Sequence, residues 1–375
     1  MTAPPDRGTV LAILDEARWA PSGDNTQVWR FELAGPGHVV VHGRRIGERC
    51  VYDLEGHASL LALGALLETL RLAAAARGVR ASWTLRPDAP WVRPTFDVRL
   101  EADPGISPDP LAGAIRRRSV RRTPMRPRPP RAAHRRALEA SLPEGYRVRW
   151  IGGWAGRARM ALLYFRSAWI RLTIEEAWRE HREVIRWGRR HSEWGIPDRA
   201  LGVDPLLRAV MRWALASWRR VDRLNRWLAG TWWPRIEMDL LPGLLCGAHF
   251  ALLAPHEPER PEDHAAAGVA VQRFWLAATR CGLRLQPQTT PLIFAAYARR
   301  GIAFATRRRA LERAREVAAR LEGLLGPEGA RRAVFLGRLG YGRPARARSL
   351  RLPLEALLVD GPPRGAEGRG PAPEP

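Results

Sequence analysis

The chain has 375 residues, 46% of them hydrophobic, and a formal net charge of +24, enough apolar content to bury one large core or two ordinary ones. All 62 basic residues are arginine, and the lack of lysine excludes a Walker phosphate loop and Schiff-base chemistry, since both need that amine. Cys50, Cys246 and Cys281 are odd in number and far apart, which supports neither a disulfide framework nor a cysteine zinc site.

The N-terminus opens on a helix from about Gly8 to Ala20, which Pro21 cannot continue. Strands are predicted at Trp29–Leu33 and His38–His42 around a Gly35-Pro36-Gly37 turn, which lacks the third glycine and following helix of a dinucleotide fingerprint. An apolar helix spans about Ala58 to Arg77 and stops at Gly78, and strands at Ser82–Arg86 and Thr95–Glu101 complete a first unit, residues 1–115. A second unit, 116–360, begins with a proline- and arginine-rich linker at Thr123–Arg131, a short helix and a strand at Tyr146–Ile151. Long helical patterns follow at Ala155–His191 and Pro205–Leu228. Strand Gly247–Leu253, helix Glu262–Cys281, helix Arg307–Leu325 and strand Ala333–Leu339 close the unit, and a glycine- and proline-rich tail, 361–375, reads as disordered.

No uncharged apolar run reaches the length of a membrane-spanning helix; Leu240–Ala254 is short and contains His249. The first residues lack the basic-then-apolar order of a signal peptide, so the expected location is the cytoplasm. His181 with Glu183 and His191 with Glu193 lack the cysteine partners of a zinc deaminase, and no metal is expected. Gly64 to Gly78 and Gly268 to Gly282 align without a gap and share both glycines and a Leu-Ala-Ala core, which suggests two copies of one α+β unit.

The segment Ala17-Arg-Trp-Ala-Pro-Ser-Gly-Asp-Asn-Thr-Gln-Val-Trp29 sets hydroxyl and amide groups on a turn between helix and strand. By chemistry alone a capped turn explains it as well as a ligand loop does. The string resembles the APSxxNxQPW segment of the nitroreductase superfamily, whose members bind flavin mononucleotide, FMN; Val28 stands where the family has proline. The family's phosphate-contacting Arg-x-Ser-x-Arg is missing upstream but stands as Arg117-Arg118-Ser119-Val120-Arg121 at the head of the second unit. Leu276 to Gln288 resembles the helix and loop beside the flavin ring. Leu339-Gly-Tyr-Gly342 with Ser349-Leu-Arg-Leu resembles the closing strand, with Arg351 the basic residue near phosphate and Arg348 a substitute. The likeness is greatest to the duplicated, self-completed Acg-like type.

The resemblance implies an α+β, nitroreductase-like fold in which two related units, each a mostly antiparallel sheet flanked by helices, form an intramolecular pseudo-dimer. It implies one FMN per chain, held by Pro21, Ser22, Asn25, Gln27, Arg117, Arg118, Ser119, Arg121, Gly282, Leu283, Gln286, Gln288, Arg348 and Arg351. No dedicated catalytic residue is implied, because the flavin carries hydride from NAD(P)H to a nitroaromatic, quinone or similar small acceptor. A departure is the insertion at about 155–240, within the stretch from Trp150 to Trp233 that holds 11 of the 16 tryptophans. Its helices read first as packed core, and otherwise as a lid over the flavin or a basic amphipathic surface for a membrane or partner. Three functions therefore stay open: an FMN-dependent oxidoreductase, a flavin-binding or storage protein without ordinary NAD(P)H turnover, and an arginine-rich binder of polyanions or membrane surfaces. No specific nucleic acid is expected, while contact with an anionic surface and further dimerisation stay open.

Overall fold

The computed structural model describes residues 3–46, 50–227 and 230–361, so all of the expected tail beyond Gly361 lies outside the described residues. Helix α1, Arg7–Ala17, starts where the Asp6 Oδ1 accepts the Thr9 amide at 3.0 Å, as an N-cap aspartate does. After Pro21 the chain makes a tight turn, Gly23–Asn25, and enters strand β1, Trp29–Gly35. Strand β2, His38–Gly43, helix α2, His57–Ala75, and strands β3, Val79–Leu85, and β4, Thr95–Ala102, complete an antiparallel sheet of order β1-β2-β4-β3.

The second sheet is built from β5, Arg147–Ile151, β6, Ala248–Leu253, β7, Arg284–Pro287, and β8, Ala333–Gly340, also antiparallel, in the order β5-β6-β8-β7. Counted within each sheet the order is first, second, fourth, third in both. In both, a long helix joins the second strand to the third: α2 in one and α8, Pro261–Arg280, in the other. Mixed α/β architecture with antiparallel sheets is therefore what this sequence adopts.

The two long helices pack on each other at Gly64 and Gly268. A Cβ on Gly64 would lie 1.8 Å from the Ala265 carbonyl oxygen, and one on Gly268 would lie 2.0 Å from that of Leu61 and 2.9 Å from the Gly64 Cα. Only glycine permits so close an approach of two backbones. The glycines that align in sequence are thus the ones that touch. Beyond the crossing, the Gln272 amide donates to the Thr69 hydroxyl at 2.8 Å, and the buried Glu68 carboxylate receives both Arg71 and Arg273 at 2.7 Å. The stretch Leu54–Ala75 is long and apolar enough to cross a membrane, but it is mostly buried as a core helix.

Between β5 and β6 lie α4, Gly153–Thr173, α5, Glu175–Val184, α6, Pro205–Leu215, and α7, Trp218–Trp227; α3, Ala132–Glu139, precedes β5. The stretch Ala155–His191, expected as one helical pattern, breaks at Ile174, whose extended backbone (φ −108°, ψ 142°) separates α4 from α5, and ends in a short strand at Ile185–Arg186. Likewise Pro205–Leu228 divides at Ala216 and Ser217, whose carbonyl accepts the first amides of α7, and position 228 lies outside the described residues. Helix α9, Thr290–Arg300, escaped the sequence reading although Pro291 in its first turn and Gly301 at its end mark it. Helix α10, Arg308–Leu325, then leads through a short helix to β8.

The stretch Thr123–Arg131, read as a linker, is packed. The Met125 amide donates to Leu245 and Arg126 pairs with Tyr341. The end of the chain returns to the first sheet, where Leu358 bridges Phe31, the Val359 amide donates to Phe31, and Leu354 and Leu357 enter the core around Trp29.

Candidate functional site

A cavity of about 1070 Å³ opens between the first-sheet loop Pro21–Asn25, the segments 118–122, 286–290 and 347–351, and the inner faces of α6 and α7. That volume is at the upper end of small-molecule sites. Its loop is held in an unfavourable backbone conformation. Asp24, Asn25 and Gln27 have φ of 47°, 61° and 48°, values that side chains other than glycine rarely adopt without support. The support is visible. The Gln27 amide donates to the Ser22 hydroxyl at 3.0 Å, its side-chain amide donates to the Glu193 carbonyl at 2.8 Å, and its Oε1 accepts the Leu352 amide at 2.9 Å. Gln27 is fully buried and lies off the cavity. Pro21, Ser22 and Asn25 line it, and the Asn25 Oδ1 is buried with no hydrogen-bond partner.

One end of the cavity gathers Arg118, Arg348 and Arg351 beside Ser119 and Ser349. Their hydrogen bonds go to backbone carbonyls. Arg118 donates to Trp19 at 2.9 Å, Arg348 to Arg116 at 3.0 Å, and Arg351 to Ala20 at 2.7 Å. Among the described residues none of the three has a carboxylate partner, and the Nε atoms of Arg118 and Arg348 are buried without any acceptor. Burial pushes all three guanidinium groups below their ordinary range, and mutual repulsion adds to it for Arg118 and Arg351. Two buried cations and a half-buried third without a carboxylate are costly alone and suit a bound dianion, to which arginine forks donate paired, charge-assisted hydrogen bonds.

The Arg117–Arg121 motif is turned relative to the sequence expectation. Arg118 follows Ala114 by four residues on a helical turn and shares its buried face, whereas Arg117 follows the exposed Gly113 and donates to that residue's carbonyl at 3.0 Å. The chain then runs extended along β7, and Arg121 faces outward to the Arg343 carbonyl at 2.6 Å while Ser119 and Arg122 line the cavity. Gly282 and Leu283 also lie off the cavity. Gly282, with φ 71°, ends α8, and Leu283 is buried in the core behind β7. Gln286 and Gln288 both line it. The Gln286 Oε1 already accepts Arg338 at 2.8 Å, but both heteroatoms of the Gln288 amide are buried without a partner.

Residues without a sequence signal complete the walls. Asp24 and Arg122 face the cavity as an opposed pair: burial raises the Asp24 carboxyl above the carboxylate range, against the pull of Arg122 and Arg171. Arg171 meets Asp239 at 2.7 Å, and Tyr52 meets His181 at 2.9 Å, with burial pushing His181 down to about 3 and so keeping it neutral. These groups come from the Gly23–Asn25 turn, the 118–122 segment, α4, α5, the turn before α2 and the helical turn Ile236–Leu240, and only the tertiary fold brings them together. Leu207, Met211, Ala214 and Leu215 of α6 and Val221 and Leu224 of α7 roof the space. The inserted helices are therefore a wall of the cavity.

An unpartnered amide, an arginine cluster without its anion and an apolar roof together fit a planar, amide-bearing ligand that ends in a phosphate, as FMN does. Among the described residues no cluster of three or more histidine, cysteine or acidic side chains could hold a metal ion. No protein-family model and no curated protein matches the sequence. Among solved structures, the chain is similar to a nitroreductase-like family protein from Bacillus cereus (15% identity, TM-score 0.33, covering 66% of this chain and 94% of that one). It is also similar to the FMN-dependent nitroreductase NfnB from Mycobacterium smegmatis in complex with NADPH (18% identity, TM-score 0.36, covering 66% of this chain and 97% of that one).

Proposed function

We propose that this protein is an FMN-dependent oxidoreductase of the nitroreductase type, folded as an intramolecular pseudo-dimer with one flavin site per chain. The observation that carries the reading is the set of Arg118 and Arg351, buried, and Arg348, half-buried, lining the cavity with no acidic partner among the described residues. The identical strand order of the two sheets and the contact of Gly64 with Gly268 support the pseudo-dimer. The two units map to residues 1–115 and 116–360, with the insertion at about 155–240 roofing the site.

In this reading Arg118, Arg348, Arg351 and Ser119 hold the phosphate. The Gln288 amide and the Asn25 Oδ1, which have no partner of their own, hydrogen-bond to the polar edge of the ring, and Ser22 is positioned to donate its hydroxyl proton beside them. Bound FMN supplies the hydride-accepting centre, with NAD(P)H as donor and a nitroaromatic, quinone or related small molecule as acceptor. The chain's own part is to bind, to orient and to exclude water, which α6 and α7 do from above. A storage function without nicotinamide turnover is the second reading, favoured by that same roof over the cavity.

Purified protein is expected to be yellow and to release FMN on denaturation at one equivalent per chain. Colourless protein that cannot be reconstituted would sink both readings, and two equivalents would sink the single composite site. Anaerobic mixing with NADH or NADPH then separates them. Bleaching of the bound flavin supports the oxidoreductase, and its persistence supports storage.

A further inference from the structure

We propose that the outer face of α6 and α7 is a docking surface for an anionic lipid bilayer. Helix α6 is apolar on two sides. Leu207, Met211 and Ala214 recur at helical spacing and line the cavity, while Leu206 and Trp213 face solvent at 64% and 53% exposure and Val210, at the same spacing, lies at the cavity rim with 36% exposure. One apolar stripe is all that a helix needs to pack on its own protein. Among the described residues no apolar group covers Leu206, Trp213 is met on its face by the Arg220 guanidinium, and Trp227, at the end of α7, is 80% exposed.

The charge around this apolar stripe is one-sided. Helices α6 and α7 carry six arginines and one acidic residue, Asp222, whose carboxylate is shared by Arg226 and Arg307 at 2.8 Å. Arg219, Arg223 and Arg226 recur at helical spacing on the exposed side of α7, which has no buried residue, while Val221 and Leu224 turn to the cavity. Exposed tryptophan and leucine interleaved with arginine is the pattern that settles at a headgroup boundary, the rings in the interface and the guanidinium groups on anionic lipid. A nucleic acid would use the arginines but would leave Leu206 and Val210 in water. The bilayer uses both sets, and so it is the occupant the surface fits. The proposal stands apart from the flavin reading, because it uses the opposite faces of the same two helices.

The test is co-sedimentation of the full chain with vesicles of phosphatidylcholine and phosphatidylglycerol in equal parts, against phosphatidylcholine alone. Binding to the mixed vesicles only, weakening as salt rises, is expected. Replacing Trp213→Ala with Trp227→Ala is expected to weaken it about tenfold, and Arg219→Gln with Arg223→Gln about thirtyfold. None of these four side chains lines the cavity, so far-UV circular dichroism and the urea midpoint are expected to stay as in the parent and report whether each variant is folded. Absence of binding at low salt would overturn the proposal. So would a tryptophan variant that binds vesicles as the parent does, or duplex DNA that competes with vesicles and is bound equally with and without Trp213 and Trp227; these last results would mark a plain polyanion surface.

Discussion

Two clusters of part- to fully buried arginine invite comparison. At the crossing of α2 and α8, Arg71 and Arg273 close on Glu68 at 2.7 Å each, and Arg273 also reaches Asp109 at 2.9 Å. At the end of the cavity, Arg118, Arg348 and Arg351 meet carbonyl groups, one another and the rings of Trp275 and Trp19, with no carboxylate among the described residues. The first cluster is electrostatically complete and belongs to the architecture. The second is positively charged with no carboxylate among the described residues, which is what the proposed phosphate site requires. In a chain where arginine is everywhere, the partner distinguishes a binding arginine from a structural one.

The contrast breaks most sharply if the cavity cluster is removed. Arg118→Ala with Arg351→Ala is expected to lower FMN affinity by about a thousandfold, since each hydrogen bond to a charged group is worth about 1.5–3 kcal/mol, while the flavin-free protein loses no stability in urea. Equal flavin affinity in a fluorescence titration would remove the phosphate assignment. The other cluster should behave oppositely. Glu68→Ala is expected to cost about 3 kcal/mol in urea unfolding, the low end for breaking a buried pair because Asp109 still faces Arg273, with FMN affinity unchanged in whatever protein folds.

Arginine stays charged across the usual pH range, so acid sensitivity has to come from elsewhere. His57 and His264, stacked 3.8 Å apart, are pushed by burial down to about 3 and about 4, and each therefore binds its proton more readily in the unfolded chain. Their contribution is intact above the ordinary histidine pKa near 6.5 and is lost as pH falls from there toward 4. At pH 5 the loss is about 2 kcal/mol for each, to be read as a falling urea midpoint, and His57→Gln should flatten that slope. The smallest effect is at Gln288. Replacing its unpartnered amide in Gln288→Leu should raise stability of the flavin-free protein by about 1 kcal/mol and weaken FMN by about tenfold.

Local pattern carried much of this architecture. The Gly35-Pro36-Gly37 turn, the Gly78 stop and the alternation in β4 each act within a few residues, and seven strands of the two four-stranded sheets overlap the segments marked in the sequence, while β7 falls in a stretch read as helix and loop. The alignment of Gly64 with Gly268 suggested two copies of one unit, and the structure adds that these two glycines touch, at segments about two hundred residues apart. The site was less legible. Which of Arg117, Arg118 and Arg121 faces inward depends on a single helical turn at Ala112–Ala114, which no motif spacing encodes. Asp24, Arg122, Arg171 and Asp239 sit on separate elements, and their juxtaposition exists only once the insertion has folded over the cavity. Gln27 resembled a ligand-binding residue because the same amide chemistry serves a backbone clamp equally well.

Arg348 and Arg351 stand on the segment that crosses back to pair Leu358 with Phe31. The consequence is temporal. Every strand of the two four-stranded sheets precedes Arg348, so on the proposed reading the anion site would be completed only after the sheets can form. A chain lacking residues 348–359 would then be expected to keep both sheets and to lose FMN, two of its three cavity arginines being gone.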